Sequence, residues 1–131
     1  MRYNNILLIE DDEDDQEIFQ AALDKVEGSI QCTALDNARE ALHLLHNKEI
    51  EPDLIFLDLN MPVMNGQQFL TEIKKDNTLK KIPVIILSTS SHKATIEMTK
   101  ELGAKDFVSK PDKFEDLITT LRSILKKEGL Q

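Results

Sequence analysis

Cysteine is nearly missing from this chain: Cys32 is the only one in 131 residues. One thiol excludes an intrachain disulfide and a cysteine-built zinc site. Set in the mixed apolar run from Ile30 to Leu35, it reads as a buried structural thiol. Long hydrophobic runs are lacking too, and none approaches the length that spans a bilayer. The opening MRYNN leads straight into a four-residue apolar run, so no signal peptide and no membrane insertion are expected, and the expected location is cytoplasmic. Positive charge is in deficit, with 16 Lys and Arg against 24 Asp and Glu and a net charge of −8. Nucleic-acid binders usually carry a basic face, so no nucleic-acid partner is expected; cations or basic protein surfaces suit the chain better. No repeat, low-complexity stretch or linker divides it. Its length fits one domain, residues 1–131 with a core over about 5–127, large enough to fold without staples.

The remaining residues are organised around 53–66, DLIFLDLNMPVMNG. Leu54 to Leu57 form an apolar run suited to a strand buried on both faces. It stops at Asp58, and Asn60, Met61, Pro62, Asn65 and Gly66 then break the pattern as a loop does. Similar apolar runs at Ile6–Ile9 and Val84–Leu87, a less apolar one at Ile30–Leu35 and a short one at Asp106–Ser109 predict four more strands. Between them, helical spacing predicts a helix from about Asp14 to Val26, with Ile18, Phe19, Ala22, Leu23 and Val26 inward. A second runs to about Asn47 with Asp36 as its N-cap. A third spans about Gly66 to Asp76, and a fourth about Lys93 to Leu102, with Gly103 as a left-handed cap. The fifth, about Phe114 to Lys127, has a clean amphipathic stripe from Phe114 to Leu125.

Five strands alternating with five helices predict an α/β domain with a doubly wound parallel sheet, most simply of order 2-1-3-4-5. Such sheets bind ligands at the carboxyl ends of their strands. Strand one ends in Glu10 and Asp11, strand three in Asp58, strand four in Ser88, and strand five runs into Lys110. At roughly 5 Å and an effective dielectric near 20, each pair of carboxylates there repels by about 3 kcal/mol, so a cation is required. All-oxygen ligands favour Mg²⁺ over zinc. An Asp beside a hard metal, a hydroxyl and a lysine is fitted for phosphoryl transfer, with Asp58 attacking and Ser88 and Lys110 steadying the phosphoryl oxygens. Each residue also has a plainer reading. Asp58 can cap a loop, the run from Glu10 to Asp15 can be a solvated acidic face, and Glu13, Asp14 and Asp15 suit the helix dipole. Ser88 alone reads as a loop hydroxyl and Lys110 alone as a surface cation. Complementary chemistry at four strand ends favours the joint reading.

With ILLIEDD, DLIFLDLNMPVMNG, PVIILSTS and GAKDFVSKP in these places, the chain resembles the receiver domain of two-component response regulators over nearly its whole length. The resemblance implies that Asp58 is the phospho-acceptor. It also implies that Glu10 and Asp11 hold Mg²⁺, with Asp11, Asp58 and the Asn60 backbone carbonyl as direct ligands. Ser88 matches the hydroxyl that follows the phosphoryl group, and Lys110 the lysine that contacts it, with a cis bond to Pro111. Phe107 falls on the aromatic switch position, though a core role on strand five suits it equally. Asn60 and Ser90 fall where the family tunes phosphate lifetime. PVIILSTSSHKATI is similar to a subgroup of single-domain regulators that includes phytochrome-associated ones.

Helix five ends near the C-terminus, so no output domain is expected to follow. The expectation is a stand-alone response regulator: not an enzyme, but a phospho-acceptor with self-catalysed transfer and autodephosphorylation. Its donor would be a sensor histidine kinase, phytochrome-like or hybrid, docking on helix one, or a histidine phosphotransfer protein. Its output would be a downstream protein bound by the face of helix four, strand five and helix five, which also offers a homodimer contact. An intermediate in a phosphorelay and a phosphorylation-independent module are the alternatives. A flavodoxin-type flavin site would need a Ser, Thr and Gly-rich loop where EDDEDD stands, which repels phosphate. An Asp-nucleophile phosphatase resembles a DxD pair, and position 60 is Asn.

Overall fold

The computed structural model describes residues 3–61, 64–89 and 92–127. Its strands are β1 (Asn5–Ile9), β2 (Gln31–Leu35), β3 (Leu54–Asp58), β4 (Val84–Ser88) and β5 (Asp106–Ser109). Every residue of β3 and β4 is buried, as expected for runs covered on both faces, whereas β2 and β5 keep exposed positions. All neighbours pair in parallel in the order β2-β1-β3-β4-β5, so the doubly wound sheet predicted from the sequence is the fold observed. The less apolar strands therefore fall at the edges.

Five helices connect the strands: α1 (Glu13–Val26), α2 (Ala38–His46), α3 (Gly66–Lys74), α4 (Lys93–Glu101) and α5 (Phe114–Lys127). Because side chains alternate along a strand, β1 sends Ile6 and Leu8 to one core and Leu7 and Ile9 to the other. The first core is closed by Phe19 and Leu23 of α1 and Leu121 and Leu125 of α5. Within it, the Phe19 and Phe56 rings meet edge to face with centroids 5.0 Å apart. The second core is closed by Leu45 of α2 and Phe69, Leu70 and Ile73 of α3. From α4 only Thr99 is fully buried, with its hydroxyl donating to the Ile96 carbonyl at 2.9 Å.

Several expectations need correction. The N-cap of α2 is Asn37, not Asp36: its extended backbone (φ −144°, ψ 121°) lets its side chain accept from the Glu40 N–H. The third helix ends at Lys74 rather than Asp76, because the Asp76 carboxylate instead accepts the Thr78 and Leu79 N–H groups at 2.8 and 2.9 Å. Those bonds start a 3-10 turn, Leu79–Lys81, that the sequence pattern did not disclose. Ile18 points outward and is 46 % exposed, and Phe114 is 40 % exposed. Gly103 does take the left-handed conformation (φ +103°) after α4. The Lys110–Pro111 bond is trans, contrary to the family resemblance. The isomers of an X–Pro bond differ by only about 0.5–1 kcal/mol, so local contacts decide between them. Cys32 is half-buried against the first core rather than fully enclosed, and burial pushes its thiol up to about 11.

Candidate functional site

Strand register gathers the polar residues at one edge. Ile9 pairs with Leu57, Asp58 with Leu87, and Ser88 with Ser109, so Glu10, Asp58, Ser88 and Lys110 emerge within a few residues of one row. Glu10 continues past β1 by donating its N–H to the Leu35 carbonyl at 2.9 Å, and is 2 % exposed. Its own carbonyl accepts from the Gln16 side chain at 2.6 Å, and its Oε2 accepts the Asp12 N–H at 3.3 Å. Asp12 also caps α1 by accepting the Asp15 N–H at 3.0 Å. The chain thus turns from strand to helix within a few residues and presents Asp11 outward.

Asp58 is 5 % exposed and Ser88 fully buried. The Asn60 N–H donates to Asp58 Oδ1 at 3.1 Å. Lys110 is aimed back at the sheet, since its N–H donates to the Ser88 carbonyl at 2.7 Å. Its ammonium lies 2.5 Å from Glu10 Oε1, 3.5 Å from Asp15 Oδ2 and 3.6 Å from Asp58 Oδ2. Oxygens of Glu10, Asp11 and Asp58 all lie within 4.8 Å of one another. Burial, reinforced by Asp58 and opposed by Lys110, pushes the Glu10 carboxyl up to about 7. Burial disfavours the Lys110 ammonium, but its hydrogen bond to Glu10 and the charges of Asp58, Glu10 and Asp15 outweigh that and raise its pKa.

Two clefts flank this edge. One, of about 530 Å³, is lined by Asn60, Met61, Ser88 and Thr95 among others. The other, of about 440 Å³, runs between α1 and α5 and is lined by Glu10, Asp15, Ile18, Lys110 and Phe114 among others. Phe107 is half-buried against the second core, opposite Ile86. Ser90 lies outside the described residues. The structure therefore brings together Glu10, Asp11, Asp58, Ser88 and Lys110, with Asn60 beside them and Phe107 two residues back along β5 from the partner of Ser88. Sequence reasoning missed Gln16 and the reach of Asp15 to Lys110. Both sit on α1, where a polar residue in the first turn looks like any other capping or surface residue.

The family model for the response regulator receiver domain matches residues 6–122. The chain belongs to that family. Receiver domains are phosphorylated by histidine kinases. The chain is 37 % identical over 110 residues to the probable C4-dicarboxylate response regulator DctR of Bacillus subtilis, covering 84 % of this chain and 47 % of that one. It spans about half the length of the first curated relatives it matches. The response regulator Rcp1 of Synechocystis sp. is nearer in size, at 32 % identity over 91 % of this chain and 84 % of its own. The solved structure of the phosphorylated cyanobacterial phytochrome response regulator RcpA superposes with a TM-score of 0.85 at 32 % identity, covering 93 % of this chain and 91 % of that one. The Mn²⁺-bound form of Rcp1 gives 0.82 at 30 % identity, with 92 % and 91 % covered.

The receiver's acidic cluster fits a divalent cation. Three carboxylates supply hard oxygen donors within reach of one ion, and the one lysine that meets them contacts Glu10 and Asp58 without touching Asp11 among the contacts described. Among the described residues no helix is long and apolar enough to cross a membrane.

Proposed function

We propose that this receiver takes a phosphoryl group onto Asp58 from a phosphohistidine. A carboxylate oxygen of Asp58 attacks phosphorus, the P–N bond breaks with its electron pair returning to the imidazole, and an acyl phosphate remains on Asp58. Attack by water on that phosphorus then releases inorganic phosphate and restores the carboxylate. The observation that carries this reading is the buried Asp58, facing the Lys110 ammonium at 3.6 Å and sharing a carboxylate cluster with Glu10 and Asp11. Glu10, Asp11, Asp58 and the Asn60 carbonyl are the residues that would hold Mg²⁺, which when bound neutralises charge on the phosphoryl oxygens. Lys110 exchanges part of its contact with Glu10 for a phosphoryl oxygen, and the Ser88 hydroxyl donates to another. Asn60, whose N–H meets Asp58 Oδ1, and Ser90, by its place in the family pattern, set how readily water reaches the acyl phosphate.

A single receiver unit is supported by the coverage of RcpA and Rcp1, each matched over 91 % of its solved chain. The donor is a sensor histidine kinase, of phytochrome-linked or hybrid type, or a histidine phosphotransfer protein, in the cytoplasm. The exposed Ile18 and Phe114 flank the α1–α5 cleft beside Lys110 and give such a donor an apolar foothold. Output passes to a downstream protein, or a second copy, through α4, β5 and α5. Phe107 links the two ends of that path, swinging inward as Ser88 follows the phosphoryl group. α4 suits the moving part because Thr99 is its only fully buried residue.

Intact mass after incubation with acetyl phosphate tests the reading. One phosphoryl adduct that needs Mg²⁺ and is missing from Asp58→Asn is expected. Absence of an adduct from the wild type, under brief quenched conditions, would overturn it in favour of a phosphorylation-independent module. Transfer of the group onward to a second histidine protein would make the chain a phosphorelay intermediate.

A further inference from the structure

Lys110 serves one carboxylate more than phosphoryl transfer asks of it. Glu10 and Asp58 belong to the acceptor cluster, but Asp15 lies on α1 and is outside that cluster. Its Oδ2 lies 3.5 Å from the Lys110 ammonium, essentially the same separation as the 3.6 Å to Asp58 Oδ2. Other duties do not explain the contact. Asp12 already caps α1, using the Asp15 backbone rather than its side chain. At the first turn of α1 the helix dipole stabilises a carboxylate without a lysine's help. The Asp15 side chain is 46 % exposed, against 22 % for Lys110, so it stands at the solvent side of the ammonium and lines the α1–α5 cleft.

We propose that Asp15 is a specificity-determining residue of the acceptor site, sharing the Lys110 ammonium with Asp58 and so disfavouring small, free, anionic phosphoryl donors. A free donor arriving through the cleft meets a negative charge and a lysine already partly neutralised. A donor brought in on a docked protein covers Asp15 and offsets its charge with protein contacts. The inference rests on Asp58 being the acceptor and concerns which donors reach it.

The test compares phosphorylation rates of wild type, Asp15→Asn, Asp15→Glu and Glu13→Gln with acetyl phosphate and with phosphoramidate, which carries less negative charge near neutral pH. Glu13 is a first-turn acid that lines a different depression, so it controls for net charge. An exposed ion pair is worth up to about 1 kcal/mol, so Asp15→Asn should react faster with acetyl phosphate, by up to about fivefold. The gain should appear in the half-saturating donor concentration, be smaller with phosphoramidate, shrink at high salt and vanish in Asp15→Glu. Equal rates for Asp15→Asn and wild type, or equal gains in Asp15→Asn and Glu13→Gln, would overturn the inference while leaving the acceptor intact. A wild type that takes no phosphoryl group would instead remove the reading on which it rests.

Discussion

Asp53 and Asp58 stand at opposite ends of the same strand, and their surroundings use the same side chain in opposite ways. Asp53, just before β3, spends its carboxylate on the backbone: Oδ2 accepts the Asn4 and Asn5 N–H groups at 2.9 and 3.0 Å. Its own N–H donates to the Asn5 carbonyl at 2.8 Å, so it stitches β3 to β1. Asp58, at the other end, is buried among carboxylates and a lysine, and the backbone bond described for it goes to one oxygen only. A strand's start offers N–H groups to an Asp, whereas the carboxyl end of a parallel sheet offers it neighbours that need something else bound. Asp53 is a fastener and Asp58 a reagent.

Chemistry separates the two most sharply. Asp58→Asn should abolish the acetyl phosphate adduct, and Asp53→Asn should leave its yield unchanged, by intact mass in the same Mg²⁺ buffer. An adduct surviving in Asp58→Asn would place the acceptor elsewhere and dissolve the contrast.

Next in size is the energetic cost of the reactive end. Glu10 has its carboxyl raised from 4.5 to about 7 by burial. Below 4.5 it is protonated whether the chain is folded or not, and the fold bears no cost. Between 4.5 and 7 the unfolded chain ionises first, so stability falls as pH rises, and the loss persists above 7. Its size in metal-free buffer is of the order of 3 kcal/mol. Urea midpoints in EDTA at about pH 5 and about pH 8 should show this loss in the wild type and not in Glu10→Gln. Added divalent cation should recover more stability at the higher pH, where the deprotonated carboxylate is the ligand. Parallel pH profiles for the two proteins would mean that burying this carboxylate costs the fold nothing.

Backbone packing sharpens the contrast further. A Cβ on Gly66 would sit 2.8 Å from both the Asp58 carbonyl oxygen and the Leu59 Cα, which are backbone atoms with little room to yield. Gly66→Ala should therefore cost about 1–3 kcal/mol and slow phosphorylation by displacing Asp58. Away from this edge, a Cβ on Gly28 would find the Asp24 carbonyl oxygen at an ordinary 3.8 Å, and Gly28→Ala should stay within about 0.5 kcal/mol of wild type. Thermal or urea unfolding distinguishes them.

Much of this contrast is legible in the sequence alone. The runs at Leu54–Leu57 and Val84–Leu87 are legible because a strand buried on both faces leaves no polar alternation to misread. Once they are parallel, Glu10, Asp58, Ser88 and Lys110 must share an edge, and the family resemblance supplied the roles. What stayed hidden depends on side-chain reach rather than pattern. Asp36 and Asn37 are both good caps, and backbone geometry alone chose Asn37. Ile18 fits the helical stripe of α1 yet faces the cleft beside Phe114. The contact of Asp15 with Lys110 spans 95 positions, and no local signal announces it.

The smallest effect is a difference in sign, and it tests the contrast without any chemistry. Asn at position 53 keeps one acceptor oxygen but loses the charge that strengthens its two backbone bonds, so Asp53→Asn should destabilise by about 1 kcal/mol. Asp58→Asn removes a carboxylate from a cluster in which Glu10 still holds the Lys110 ammonium, so in EDTA it should stabilise by about the same amount. Saturating Mg²⁺ should erase that gain, because the wild type then has a cation among its carboxylates and the variant has lost a ligand. Urea midpoints of the two variants, with and without Mg²⁺, are sufficient. If both substitutions destabilise alike in EDTA, Asp58 is a fastener as Asp53 is, and the repulsion that calls for a cation is not there.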